Sequence, residues 1–111
     1  MDRDQAYLLD ILDSARLALA YIKEGDKERF LRDTQCQDSV IRRIEIIGEA
    51  ARRISPEIRT AYPDIPWTEM IGMRNLMIHD YDDIDLEIVW STVQRDLPRL
   101  IDLVGPLIPT D

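Results

Sequence analysis

Apolar side chains recur at intervals of three and four residues along most of this chain, and this spacing constrains the fold more than any other feature. The first such stretch carries Leu8, Leu12, Ala15, Leu19 and Ile22. The last carries a longer stripe: Leu86, Val89, Trp90, Val93, Leu97, Leu100, Ile101 and Val104. With about 3.6 residues per helical turn, this spacing places apolar side chains on one face of a helix. Strand-like alternation is nearly absent, so the sequence predicts an all-α fold, an antiparallel up-and-down bundle of about four to five helices.

Capping residues indicate where the first helices end and begin. Gly25 is a suitable stop for the first helix, and Asp26 can cap the second. The second element is expected to run towards Ile54, with an interruption around residues 33–38, where polar residues cluster. Ser55, followed by a proline, then opens a short helix.

Proline and aspartate mark the later boundaries. Pro66 is expected to start a third major helix that runs from about Trp67 to Asp80. Asp83 or Asp85 can cap the last helix. Pro98 falls inside the last apolar stripe, so we expect a kink or a break near residues 94–97.

Length and composition indicate one domain covering residues 1–111. The chain has 111 residues, of which 45% are hydrophobic, enough for a single core. No apolar run approaches the roughly 18 residues that a membrane span needs, and the N-terminus lacks the order of a signal peptide. Cys36 is the sole cysteine, so no internal disulfide is possible. These features favour a cytoplasmic protein.

The net charge of −8 argues against a nucleic-acid-binding protein at first sight. The charge is unevenly distributed, however. Residues 39–60 contain five arginines and three acids, a net of +2, whereas residues 80–111 contain eight acids and two arginines, a net of −6. A locally positive helix is therefore available to RNA, although both clusters are equally well explained as solvated faces.

The segment from Arg74 to Tyr81 carries the residues most suited to chemistry. His79 is the only histidine in the chain, with Arg74 five residues before it and Tyr81 two residues after it. A fixed cation and a group that titrates near neutral pH are suited to handling a phosphodiester. Spacing alone is weak evidence, because the chain is rich in arginine. On an ideal helix the two side chains would diverge by about 140°, which suggests a composite site between two subunits.

Several landmarks around this segment occur together and in order: Gly48-Glu49-Ala50-Ala51, Ile65-Pro66-Trp67, Gly72-Met73-Arg74-Asn75 and Asp85-Leu86-Glu87-Ile88-Val89-Trp90. With them, the chain resembles the HepT-like proteins of the HEPN superfamily from about Asp2 to Leu103. The resemblance implies a compact all-α ribonuclease toxin encoded beside a minimal nucleotidyltransferase antitoxin called MntA.

The resemblance also implies roles for individual residues. Arg74 and His79 match the catalytic pair of the family, which works without a metal across a homodimer interface. Asn75 matches a supporting polar residue, and Tyr81 matches the tyrosine to which the antitoxin transfers AMP. Asp80 stands where many relatives have glycine, and its charge could lower activity or narrow the choice of RNA.

Other residues have simpler explanations. Glu49 could support Arg74 but is equally a surface acid, and we leave it out of the site. Methionines 70, 73 and 77 are expected in the core or in a dimer contact, and Trp67 and Trp90 are expected to anchor packing. One histidine and one distant cysteine do not make a metal site, and no cofactor is expected.

Two other functions stay open from the sequence. The chain could be a non-catalytic helical partner that regulates a nucleotidyltransferase, which the net charge of −8 modestly favours. It could also be a nucleotide-binding module in which Arg74 grips a phosphate without cleavage. The presence of both Arg74 and His79 favours the ribonuclease.

Overall fold

Helices make up most of the fold, which the computed structural model describes for residues 2–22, 26–80 and 83–109. The helices are α1 (Arg3–Ile22), α2 (Lys27–Arg32), α3 (Thr34–Arg53), α4 (Pro56–Ala61), α5 (Trp67–Met77), α6 (Leu86–Ser91) and α7 (Leu97–Val104). A π-helical turn (Thr92–Asp96) joins α6 to α7, and a 3-10 turn (Gly105–Leu107) follows α7. Two short antiparallel strands, β1 (Ile78–Asp80) and β2 (Asp83–Ile84), lie between α5 and α6. The predicted all-α class is confirmed.

Helices α1 and α3 run antiparallel, and contacts at both ends show it. At the start of α1, the Asp4 carboxylate accepts hydrogen bonds from the amide and the hydroxyl of Ser55, at 2.9 and 2.6 Å. At the other end, the thiol of Cys36 donates to the carbonyl of Tyr21 at 3.5 Å. The first residues of α1 therefore lie beside the end of α3, as an up-and-down bundle requires.

The core is built from the apolar faces that the periodicity predicts. Its largest fully buried side chains include Ile11, Ile44, Ile47, Met70, Met77, Leu97 and Leu100. Burial of side chains of this size provides the main driving force for folding, at roughly 1.5–3 kcal/mol each. No helix within the described ranges is long and apolar enough to cross a membrane.

Short polar side chains cap the helices at the predicted places. Asp26 accepts from a backbone amide of the first turn of α2, Ser55 does so for α4, and Asp85 does so for α6. The predicted interruption between α2 and α3 is confirmed at Asp33, whose side chain caps α3. Gly25, the predicted end of the first helix, lies outside the described residues.

The predicted break before Pro98 is confirmed as a π-helical turn. The amide of Leu97 donates to the carbonyl of Thr92, five residues back instead of four. Proline has no amide hydrogen, and its ring clashes with the carbonyl four residues earlier in a regular helix. The wider turn accommodates the ring and lets α7 continue with Leu97, Leu100 and Val104 buried.

The end of α5 differs from the prediction. The helix was expected to continue to Asp80, but it ends at Met77, and Ile78–Asp80 form β1. In a continuing helix the carbonyl of Met77 would accept from the amide four residues on. It accepts from the amide of Asp85 instead, at 2.6 Å. This bond joins the end of α5 to the start of α6.

Candidate functional site

Helix α5 presents two different faces, and only one belongs to the core. Met70, Met73 and Met77 are buried in the protomer, so they belong to its core. Arg74, Asn75 and Leu76 are exposed on the same helix, and the Leu76 residue is 65% exposed. The predicted site residues of α5 therefore lie on its solvent face.

The two tryptophans anchor packing, as predicted. Trp67 is buried, and its indole Nε1 donates to the carbonyl of Tyr62 at 3.1 Å. Trp90 lies against Phe30, with ring centroids 5.5 Å apart and the planes tilted by 41°. Both rings hold helices together, so their main role is structural.

Arg74 is paired with Glu45 of α3. The Nε of Arg74 donates to Oε2 of Glu45 at 2.8 Å, and the two side chains are 53% and 32% exposed. The residues are 29 positions apart in the chain, so this ion pair links two helices. The sequence prediction did not include Glu45, because the spacing of acids along α3 does not indicate which one faces α5.

Gly48 explains why α3 and α5 come close enough for this pair. A Cβ atom on Gly48 would lie 3.2 Å from the carbonyl oxygen of Met70 and 3.4 Å from that of Ile71. The missing side chain therefore lets the two backbones approach closely. Glu45 lies one turn before Gly48 on α3, and Arg74 lies one turn after Met70 on α5. The two helices are therefore antiparallel here, and this places the carboxylate of Glu45 beside the guanidinium of Arg74.

Glu49 has different partners. It accepts from Arg52 at 2.8 and 3.0 Å and from Arg53 at 2.9 Å, all within α3. The hydrogen bonds from Arg52, and then from Arg53, lower the pKa of the Glu49 carboxyl. Glu49 was considered as a partner of Arg74 and left out of the site. The structure gives that contact to Glu45.

Several arginine side chains of residues 39–60 make local hydrogen bonds. Besides Arg52 and Arg53, which pair with Glu49, Arg59 donates to the carbonyls of Ala51 and Arg52 at 3.0 and 2.8 Å. Arg59 thus satisfies carbonyls at the end of α3, which a helix terminus otherwise leaves without partners. Three of the five arginines in this region therefore already have hydrogen-bond partners within the protein.

A shallow groove of about 250 Å³ lies between α1 and α3 beside the ion pair. Its charged and aromatic lining residues are Tyr7, Asp10, Arg42, Glu45, Glu49 and Arg53. Glu45 therefore both lines the groove and accepts the hydrogen bond from Arg74. The mixed charges of the lining do not select an anion or a cation by themselves.

His79 lies in β1, not in α5. In the strand pairing, Ile78 lies opposite Ile84 and Asp80 lies opposite Asp83. The register shifts between these two pairs, and His79 lies at the shift. The 140° divergence expected from an uninterrupted helix therefore does not describe this pair. Tyr81, the predicted site of modification, lies outside the described residues.

The described part of the chain holds no group of three or more His, Cys, Asp or Glu side chains arranged to bind a metal ion. What it does bring together is an exposed guanidinium, a neighbouring amide side chain and the backbone of a histidine, all near the end of α5. A guanidinium and an amide side chain can bind a phosphate.

Comparison with known proteins identifies relatives over nearly the whole chain. The profile of the family described as Ribonuclease HepT-like matches residues 11–107. A Methanocaldococcus jannaschii protein named as a candidate RNase is 41% identical over 96 residues, which cover 86% of this chain and 88% of that protein.

Two further relatives carry the HepT name. "Probable ribonuclease HepT" of Thermococcus cleftensis is 42% identical over 94 residues, covering 85% of this chain and 86% of that protein. "mRNA nuclease HepT" of Shewanella oneidensis is 29% identical over 107 residues, covering 72% and 80%. No solved structure gives a significant match. By its family match and these relatives, the chain belongs to the HepT-like ribonuclease family.

Proposed function

We propose that this chain is a metal-independent endoribonuclease and the toxin of a type VII toxin–antitoxin pair. Membership of the HepT-like ribonuclease family supports the ribonuclease activity. The observation that carries the proposal is the position of Arg74. Its side chain is 53% exposed near the end of α5, five residues before His79 in β1. The name of the Shewanella oneidensis relative, an mRNA nuclease, makes mRNA the first substrate to test.

The proposed reaction uses the nucleophile that RNA itself carries. The 2′-oxygen attacks the adjacent phosphorus and forms the 2′-O–P bond, while the bond from phosphorus to the 5′-oxygen breaks. A base takes the 2′-hydroxyl proton, and an acid gives a proton to the departing 5′-oxygen. His79 can serve as either, since imidazole has a reference pKa of about 6.5. The products are a 2′,3′-cyclic phosphate and a 5′-hydroxyl.

Arg74 has the role of stabilising negative charge on the phosphorus centre in the transition state. A guanidinium can do this with two parallel hydrogen bonds to phosphate oxygens. Asn75 follows Arg74 directly and is exposed, so its amide is available to orient the phosphate. Neither role calls for a metal ion or a cofactor.

We further propose that the active form is a homodimer whose α5 helices lie near the two-fold axis. Leu76, which is exposed near the end of α5, supports this arrangement. It borders a cleft of about 350 Å³ that is also lined by Met73, Thr92 and Leu100. The cleft also has the charged residues Glu69, Asp96 and Arg99 in its lining. A second copy could cover the apolar part of this surface, and each subunit would then supply the acid or base that the other lacks.

The regulatory part of the proposal concerns Tyr81 and an MntA-like nucleotidyltransferase antitoxin. Transfer of AMP to the hydroxyl of Tyr81 would add a phosphodiester charge and a nucleoside two residues after His79. That charge would compete with the RNA phosphate for Arg74 and repel the incoming backbone. Neutralisation would then need no unfolding of the bundle.

The first test is RNA cleavage by the purified protein and by His79→Ala. Wild type should cut mRNA in the presence of EDTA and leave 2′,3′-cyclic phosphate ends. Loss of a general acid or base commonly lowers the rate by about 10²–10⁴, so His79→Ala should be nearly inactive with an unchanged circular dichroism spectrum. EDTA inhibition would point to a metal-dependent enzyme.

A second test addresses the antitoxin. Co-expression with an MntA-like nucleotidyltransferase should relieve growth arrest and add AMP to the peptide that contains Tyr81. Tyr81→Phe should remain toxic in that strain. Protection of Tyr81→Phe without modification would instead indicate neutralisation by complex formation.

The alternative of a non-catalytic partner of a nucleotidyltransferase is favoured by the net charge of −8. It predicts an RNA that remains intact with wild type, together with a stable complex between the two proteins. The third possibility, a nucleotide-binding module, predicts nucleotide binding that depends on Arg74 and an equally intact RNA.

A further inference from the structure

Glu45 holds the one guanidinium that the proposed reaction needs. Its carboxylate reaches Arg74 from another helix, and the bond of 2.8 Å joins Oε2 of Glu45 to Nε of Arg74. The close approach of the helices at Gly48 fixes the distance between their backbones. The contact is therefore built into the packing of α3 against α5.

The stability of the fold does not account for this ion pair. Both side chains are partly exposed, at 53% and 32%, and ion pairs of this kind are screened by solvent and contribute little to folding. The core of α3 and α5 is supplied instead by buried residues such as Ile44, Ile47 and Met70. The pair is better explained by what it does to Arg74.

The geometry of the bond divides the guanidinium into two functional edges. Glu45 binds Nε, which lies at the inner side of the group. The outer edge, formed by Nη1 and Nη2, takes no part in that bond and can present two parallel donors to a phosphate. A free arginine side chain samples many rotamers, and fixing it by one bond reduces the entropy lost when the transition state forms.

We propose that Glu45 is a positioning residue that orients Arg74 for phosphate binding. This inference rests on the proposed ribonuclease function and assigns to that site a residue from α3. Glu45 does not touch the substrate but acts through Arg74. Glu45 also weakens substrate binding, because its negative charge repels RNA. Removal of Glu45 should therefore lower kcat while leaving KM unchanged or slightly lower.

Steady-state cleavage of a short RNA by Glu45→Ala, Glu45→Gln and Glu49→Gln tests the proposal. Loss of a hydrogen bond to a charged group should lower kcat about ten- to hundredfold in Glu45→Ala. Glu45→Gln should recover part of this loss, since its amide oxygen can still accept from Nε. Glu49→Gln is the matched control, because Glu49 lies one turn away on α3 but pairs with Arg52 and Arg53. It should cleave at nearly the wild-type rate.

The same substitution in an Arg74→Ala background separates positioning from other roles. If Glu45 acts only through Arg74, Glu45→Ala should have no further effect on the residual activity of Arg74→Ala. An equal loss in both backgrounds would overturn the proposal. A rise in kcat in Glu45→Ala would also overturn it, since Glu45 would then compete with RNA for Arg74.

A measurement without RNA keeps the two proposals distinguishable. In nitrogen-15 NMR spectra, the Nε–H of Arg74 should exchange slowly with water in wild type and in Glu49→Gln, and quickly in Glu45→Ala. Equally fast exchange in wild type would overturn the positioning role. A wild-type protein that leaves RNA intact would overturn the ribonuclease proposal and the catalytic purpose of the positioning. The slow Nε–H signal would then still show that Glu45 holds Arg74.

Discussion

The two faces of α5 differ in almost every physical property, although they share one helix of 11 residues. Met70, Met73 and Met77 are buried and pack against the bundle, whereas Arg74, Asn75 and Leu76 face solvent. Burial of the methionine face fixes the helix in place. The polar groups of the opposite face are thereby held at fixed positions in solvent. The comparison indicates that stability and activity can be changed separately, even by substitutions at adjacent positions.

Met70→Ala should have the largest effect, and it should affect stability. Met70 is completely buried, and truncation of such a side chain to alanine commonly costs about 2–5 kcal/mol. Urea denaturation at a fixed protein concentration measures the change. Asn75→Ala on the exposed face is the control and should change the free energy of unfolding by less than about 0.5 kcal/mol. Similar losses in both variants would contradict the division into two faces.

Arg74→Ala should lower the cleavage rate strongly and change the stability little. Removal of a transition-state donor commonly lowers the rate about 10²–10³-fold, while loss of a partly exposed ion pair changes stability by at most about 1 kcal/mol. RNA cleavage and thermal denaturation of the same preparation measure the two quantities. Arg74→Lys keeps the charge but loses the two-pronged geometry, and it should remain well below wild type. A large loss of stability in Arg74→Ala would show that Arg74 contributes to folding in the same way as the buried methionines.

Two glycines should respond in opposite directions to the same change. Gly48→Ala places a Cβ 3.2 Å from a backbone carbonyl of α5. Overpacking of this kind costs about 1–3 kcal/mol, which exceeds the helix propensity gained, so the variant should be destabilised. Gly72→Ala meets no atom within 4 Å and should gain about 0.5–1 kcal/mol. Thermal denaturation of both variants is sufficient, and a stabilised Gly48→Ala would show that the two helices can separate freely.

Asn75→Ala should have the smallest effect of the series. A single neutral hydrogen bond contributes about 0.5–1.5 kcal/mol, so the cleavage rate should fall by up to about tenfold with unchanged stability. Asn75→Asp has a similar shape but adds a negative charge beside the RNA phosphate, and it should be slower than Asn75→Ala. Equal rates for wild type and both variants would remove Asn75 from the site.

Local sequence signals predicted the fold well because they act over a few residues. The caps at Asp26, Ser55 and Asp85 each depend on a side chain and a nearby amide of the same helix. The break before Pro98 depends on the ring and a carbonyl one turn away. Helical periodicity likewise identified the buried faces of the first and last helical stretches, whereas for the methionines of α5 it left the core and a dimer contact as alternatives. All of these features can be read from short windows of sequence.

The contacts that could not be predicted join distant parts of the chain. Which glutamate meets Arg74 depends on the register of α3 against α5, and no local pattern distinguishes Glu45 from Glu49 in that respect. The end of α5 at Met77 depends on an amide from Asp85, beyond the segment that leaves the helix. Of the predicted site residues, Arg74 and Asn75 lie on the exposed face of α5, while His79 lies in β1, beyond the end of that helix.

The hydrogen bond from Asp85 to Met77 has a further consequence for motion. Because the same residue also caps α6, Asp85 joins the end of α5 to the start of α6. Release of this junction requires loss of a few local hydrogen bonds and not of the core. The amide of Asp85 should therefore exchange with deuterium through such local openings, whereas amides in the middle of α3 should exchange only on global unfolding.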